Sequence, residues 1–204
     1  MVRALLAGTK TQTRRIVTPQ PECVEGATWV ERDGLLHPCR DELCRGALDA
    51  IGPGIKCPYG VPGDRLWVRE AWHSCPHCPQ YQPLGYMAYR AGGWRTGTAR
   101  SNDDARPLPP KCAAHGYKPS IHMKRHASRI TLEVTGVRVE RVQSISEADA
   151  KAEGVTPFPN DPEGDCWTDG KHTTAFQYLW GQINGFDSWA ANPWVWAVEF
   201  RRLP

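Results

Sequence analysis

Arg129-Ile130-Thr131-Leu132-Glu133-Val134-Thr135-Gly136-Val137-Arg138-Val139-Glu140-Arg141-Val142 is the stretch that decides the fold. Ile130, Leu132 and Val134 occupy one phase of a two-residue repeat, Val137 and Val139 the other, and Gly136 stands where the phase slips. Strand side chains alternate between faces, so this pattern reads as a long β-strand. A glycine at the slip predicts a bulge or tight bend of the kind that curls a sheet into a small barrel.

Toward the C-terminus, Ser146-Glu147-Ala148-Asp149 reads as an N-cap with an acid three residues on, opening a short helix that Gly154 stops. Glu153 then falls in the last turn, where an acid meets the negative pole of the helix dipole at a cost of about 0.3–1 kcal/mol when exposed. That placement marks it as a candidate working carboxylate. Thr173 or Thr174 is expected to cap a second helix, with Phe176, Leu179, Trp180 and Ile183 on its apolar face and an end near Asn184-Gly185. A final strand is expected over Trp194 to Arg201.

Toward the N-terminus, the Pro62-Gly63-Asp64 turn predicts a strand over Arg65 to Glu70. Val2 to Ala7 reads as a helix ended by Gly8, and Thr11 to Val17 as a strand. The intervening segments at about 18–61 and 74–118 are rich in Cys, Pro and Gly with little periodicity. They read as irregular inserts, with one possible strand at Tyr86 to Arg90. The whole is an α+β pattern in a single domain of 204 residues.

A formal charge of +3 is too small to imply nucleic-acid binding by itself, so the grouping of charge has to carry any such reading. No apolar run suits a signal peptide or a membrane span, which makes a cytoplasmic protein the expectation. In that compartment the eight cysteines read as thiols or metal ligands. Cys75-Pro76-His77-Cys78 followed by Cys112-Ala113-Ala114-His115 pairs a CxxC with a CxxH, which suits a structural zinc held by Cys75, Cys78, Cys112 and His115. Unrelated thiols are the competing reading, and no cofactor is expected for catalysis.

Gly8-Thr9-Lys10-Thr11-Gln12-Thr13-Arg14-Arg15 has the composition of a site: an amine, a hydroxyl three residues on and two guanidiniums beside a glycine. Lysine can act as a general base if its pKa is depressed, threonine can attack or donate, and arginine can grip an anion in a fork. For Lys10 and Thr13 to cooperate, the chain must turn at Lys10 before the strand begins. A second cluster, Lys111, Lys118, Lys124, Arg125 and Arg129, contains no acid between Lys111 and Leu132 and is the best phosphate-binding candidate.

Taken in order, the Gly8–Arg15 motif, Pro62-Gly63-Asp64-Arg65-Leu66-Trp67-Val68, Ile130 to Thr135, Ser146 to Val155 and Val195 to Phe200 resemble the ASCH family. The nearest likeness is to ASCH proteins carried by phages and prophages, and it covers roughly half the chain. The resemblance implies a PUA-like small β-barrel with flanking helices and a cleft for a nucleotide, nucleoside or RNA segment. Some small bacterial members hydrolyse the amide of N4-acetylcytidine with a lysine, a threonine and a glutamate at positions matched by Lys10, Thr13 and Glu153. Arg15 matches a family arginine that could hold substrate. Arg14 has no clear counterpart there and reads as a surface or phosphate contact. Trp67, Lys124, Arg125 and Arg129 are the further candidate substrate contacts. An amidohydrolase, a non-catalytic reader of RNA or modified bases, and a phage accessory interaction protein are the three function classes these features leave open.

Overall fold

Helix α1 (Val2–Leu6) stops where Gly8 takes φ of 74°, a conformation that costs an L side chain energy, and strand β1 (Gln12–Ile16) begins four residues on. The elements after it are β2 (Thr28–Arg32), β3 (Leu35–Cys39), β4 (Arg65–Trp67), β5 (Trp72–Cys75), β6 (Tyr86–Tyr89), β7 (Trp94–Thr96) and β8 (Ala99–Ser101). Two 3-10 turns, Ser120–His122 and Arg125–Ala127, lead into β9 (Thr131–Arg141). Helices α2 (Glu147–Ala152), α3 (His172–Asn184) and α4 (Asp187–Ala190) precede the last strand, β10 (Trp194–Arg202). This computed structural model describes residues 1–20, 28–32, 35–39, 54–75, 86–92, 94–96, 99–101, 116–158 and 169–204.

The chain divides into two compact units. One comprises Met1–Ala7, Leu66–Leu132 and Arg202–Pro204; the other comprises Gly8–Arg65 and Glu133–Arg201. The principal sheet has the order β1-β10-β9-β4, and β1 pairs antiparallel with β10 in a register that sets Thr13 opposite Val198. β10 lies between β1 and β9 and is buried on both faces from Trp194 to Val198, which explains its nearly continuous apolar sequence. The protein is α+β on an antiparallel sheet compatible with a small barrel.

In the larger unit, Val142, Ile145, Ala150, Phe176, Trp180 and Val195 form the core, with Ile16, Val155 and Trp189 packed against it. In the smaller unit the core is Trp72, Tyr89, Met123 and Ala127, joined by Trp67 and Met87.

β9 extends from Thr131 to Arg141 with Gly136 inside it, where a Cβ would lie 3.0 Å from the end of the Glu199 side chain. Several expectations need correction. The segment at 18–61, read as irregular, contains the antiparallel pair β2–β3, and 74–118 contains the end of β5 and the strands β6, β7 and β8 that follow it in one sheet, where one strand was expected. Pro38 within β3 and the shortness of β7 and β8 hide these strands from a periodicity test. On α3, Phe176 and Trp180 are buried as expected, but Leu179 and Ile183 are 40% and 68% exposed.

The cap of α3 also differs. Neither Thr173 nor Thr174 serves as N-cap; the carboxylate of Glu147 accepts from the N–H groups of His172 and Thr173 at 2.6 and 3.0 Å, and its Oε1 lies 2.8 Å from His172 Nδ1. Against a desolvation penalty, these donors hold the Glu147 carboxyl at about 2, below its ordinary 4.5. A carboxyl depressed on folding stabilises above its unfolded value, and that stabilisation fades as pH falls from about 4.5 toward 2. Glu147→Ala is therefore expected to cost about 0.5–1 kcal/mol at neutral pH, modest because the group is half exposed. Urea unfolding at pH 7 and pH 2 checks this: the wild-type advantage should be present at the first and largely gone at the second.

Candidate functional site

Two backbone hydrogen bonds flank Lys10 through its neighbour. Thr11 donates its N–H to the carbonyl of Ala152 at 2.8 Å and accepts from the Phe200 N–H at 2.9 Å, tying the segment to the end of α2 and to β10. Glu153 is the C-cap residue of α2, and Gly154 follows with φ of 73°. Lys10 Nζ thus reaches Glu153 twice, donating at 2.7 Å to its backbone carbonyl and at 2.7 Å to Oε2. The two residues are 8% and 6% exposed. Burial lowers the Lys10 pKa; the attraction of Glu153 opposes that, and the nearby Arg15 and Arg14 charges reinforce it.

Arg14 is not a surface contact. Its side chain is fully buried, and its fork is occupied on every edge. Nη1 donates to Gln12 Oε1 at 2.7 Å and to Glu153 Oε1 at 3.3 Å, Nε donates to Glu140 Oε1 at 2.9 Å, and Nη2 donates to the same Glu140 oxygen. Asp149 Oδ2 lies 3.4 Å from Nη2, and the guanidinium carbon stands 5.7 Å from the centre of the Phe176 ring. Arg138 extends the network, donating to Asp149 at 2.9 Å, to Glu140 at 3.0 Å and to Glu199. Partial burial works against the Asp149 carboxylate, but the Ser146 hydroxyl and Arg138 outweigh it and hold that group below the usual range.

Thr13 lies on β1 and is half-buried, and its hydroxyl makes no hydrogen bond to Lys10. Arg15 is exposed and donates to the carbonyl of Arg14 at 2.9 Å. A groove of about 490 Å³ is lined by Gly8, Thr9 and Thr11 and by Lys151, Ala152 and Gly154. Lys10 and Glu153 are absent from its wall although their chain neighbours form it.

The other candidate contacts belong to the smaller unit. Trp67, half-buried, has the guanidinium carbons of Arg69 and Arg125 at 4.7 and 5.9 Å from its ring centre, and Lys124 and Arg125 are exposed. Arg129 is instead turned inward: Nε and Nη2 donate to the two oxygens of Glu70, each at 2.9 Å, and its guanidinium sits 4.1 Å from the Tyr89 ring centre. Cys75 lies in β5, while Cys78, Cys112 and His115 lie outside the described residues, so the zinc reading does too. Among the described residues no group of His, Cys, Asp or Glu could hold a metal ion, and no helix is long and apolar enough to cross a membrane.

Gln12, Glu140, Asp149, Arg138 and Glu199 were not singled out by the sequence. A signal was present: Lys10, Gln12 and Arg14 recur at a spacing of two, as do Arg138 and Glu140, and Asp149 in α2 lies four residues before Glu153 at its C-cap. Polar residues in phase along strands that are otherwise buried mark an internal network. No family model matches the chain, and no curated protein or solved structure matches it either.

Proposed function

We propose that this chain is an ASCH-type amidohydrolase that removes the acyl group from an N4-acylated cytidine. The observation that carries the reading is the buried Lys10–Glu153 pair, joined at 2.7 Å within the motif on which the resemblance rests. A lysine whose pKa burial has lowered is suited to act as a general base, and a structural cation has no need of that state.

On this reading the deprotonated Lys10 amine would keep two N–H groups for the two oxygens of Glu153 that accept from it and a lone pair free to take a proton. A water, or the Thr13 hydroxyl, gives its proton to that lone pair as its oxygen attacks the acyl carbon. The tetrahedral adduct collapses when the C–N bond breaks, and the proton on Lys10 passes to the departing N4 amine. If Thr13 is the attacking group, a water repeats the step on the ester and frees the acid. Arg15 is the candidate anchor for the substrate.

A second reading, a non-catalytic module for RNA or modified bases, is favoured by one observation: Trp67 with Arg69 and Arg125 beside its ring, next to exposed Lys124. Aromatic and guanidinium groups together suit bases and phosphates. The pH dependence of hydrolysis separates the two. With N4-acetylcytidine as substrate and loss of its absorbance as the readout, kcat/KM is expected to rise with pH as Lys10 loses its proton. The midpoint should lie below the ordinary lysine value of 10.5. Saturable nucleoside or RNA binding with no hydrolysis at any pH would leave the binding module in its place.

A further inference from the structure

We infer that Arg14 is a positioning residue for the Lys10–Glu153 pair, holding the Glu153 carboxylate so that the Lys10 amine is fixed in one orientation. The inference rests on the amidohydrolase reading for its catalytic meaning, but its geometry stands independently. Glu153 is gripped from both ends: Oε2 accepts from Lys10 at 2.7 Å and Oε1 accepts from Arg14 Nη1 at 3.3 Å. A carboxylate held at one oxygen only could rotate about its terminal torsion, which is soft. Held at both oxygens, it presents Oε2 to the amine in a fixed direction.

Arg14 can perform this task because it is itself immobilised. Gln12 and Glu140 take its remaining edges, Asp149 lies beside Nη2, and Phe176 packs close to the guanidinium. A lysine could supply the charge but not the fork, so the role is specific to arginine. Glu140 and Asp149 are in turn held by Arg138, which also binds Glu199. The groups that bear on Lys10 are therefore Glu153 from the end of α2, Arg14 and Arg15 from β1, and, through Arg14, Glu140 from β9 and Asp149 from α2.

Arg14 affects the amine in two ways that act in one direction. It shares the negative charge of Glu153, weakening that carboxylate's hold on a Lys10 proton, and its own positive charge repels that proton. Removing it leaves Glu153 to Lys10 alone, so Lys10 should bind its proton more tightly. In Arg14→Gln, the titration midpoint of Lys10, followed by NMR in protein carrying labelled lysine, is expected to move upward. The kcat/KM for N4-acetylcytidine at neutral pH should fall about ten-fold or more and recover as pH is raised. Arg14→Lys should restore the midpoint more completely than the rate, because it returns the charge without the fork.

An unmoved Lys10 midpoint in a folded Arg14→Gln protein overturns the inference, whether or not the enzyme turns over. A moved midpoint in a protein that hydrolyses no N4-acylated cytidine supports the positioning and removes the proposed reaction. Should Arg14→Gln fail to fold, Glu140→Gln supplies the test: an Arg14 charge less neutralised should move the Lys10 midpoint downward, and an unmoved midpoint there overturns the inference equally.

Discussion

Replacing Lys10 with methionine is expected to lower kcat/KM for N4-acetylcytidine by about 10²- to 10⁴-fold, the contribution typical of a positioned general base. Methionine preserves most of the side-chain volume, and Glu153 keeps its bond to Arg14, so its carboxylate is not left without a partner in the interior. The fold should therefore survive, and circular dichroism together with cooperative unfolding would establish that the loss is chemical. Glu153→Gln should also lose activity while keeping an acceptor for the amine, because it removes the negative charge beside the proposed base. Undiminished turnover by a folded Lys10→Met protein would assign the chemistry to another group.

The second large effect concerns stability in the smaller unit. Arg129 and Glu70 have side chains only 3% and 2% exposed and are joined by two charge-assisted hydrogen bonds. Nη1 of Arg129 is also buried and finds no partner among the described residues. Glu70→Ala would leave that guanidinium charged, buried and paired only with the face of Tyr89, at an expected cost of about 3–5 kcal/mol. The double replacement Glu70→Ala with Arg129→Met should recover much of the loss, since it removes the isolated charge along with its partner. Urea unfolding of the two variants beside wild type measures both quantities. A single replacement costing under about 1 kcal/mol would mean that the pair behaves like an exposed one.

The sequence made the strand at 131–141 and the helix opened by Ser146 legible for a plain reason: both are written in local periodicity and local capping. Ser146 Oγ does accept from the Asp149 N–H at 3.1 Å, as a sequence of that form predicts. Lys10 and Glu153 are 143 residues apart, and in the sequence only the resemblance and the position of Glu153 at a helix end point to both. Arg14 reads as solvated in the sequence because it is a charged residue between polar neighbours. Only the register of β1 against β10 and the acids delivered by β9 and α2 make it an interior group. The cap of α3 is illegible in the sequence for a related reason: its acceptor, Glu147, comes from another helix 25 residues earlier, beyond any local pattern.

Arg129 shows the same limit from the opposite side. It stands in a basic stretch with Lys124 and Arg125, yet those two are exposed while it is buried against Glu70 on a segment 59 residues away. Charge grouping along a chain says where cations are abundant, and strand and turn geometry decide which of them reach solvent.

Hydrolysis by this protein is decided by a product assay: purified protein, N4-acetylcytidine, and cytidine and acetate quantified together over time. Equal amounts of the two products are expected, released in proportion to protein and lost in Lys10→Met. No cytidine from the wild-type protein, or an equal yield from the variant, would contradict the proposed reaction.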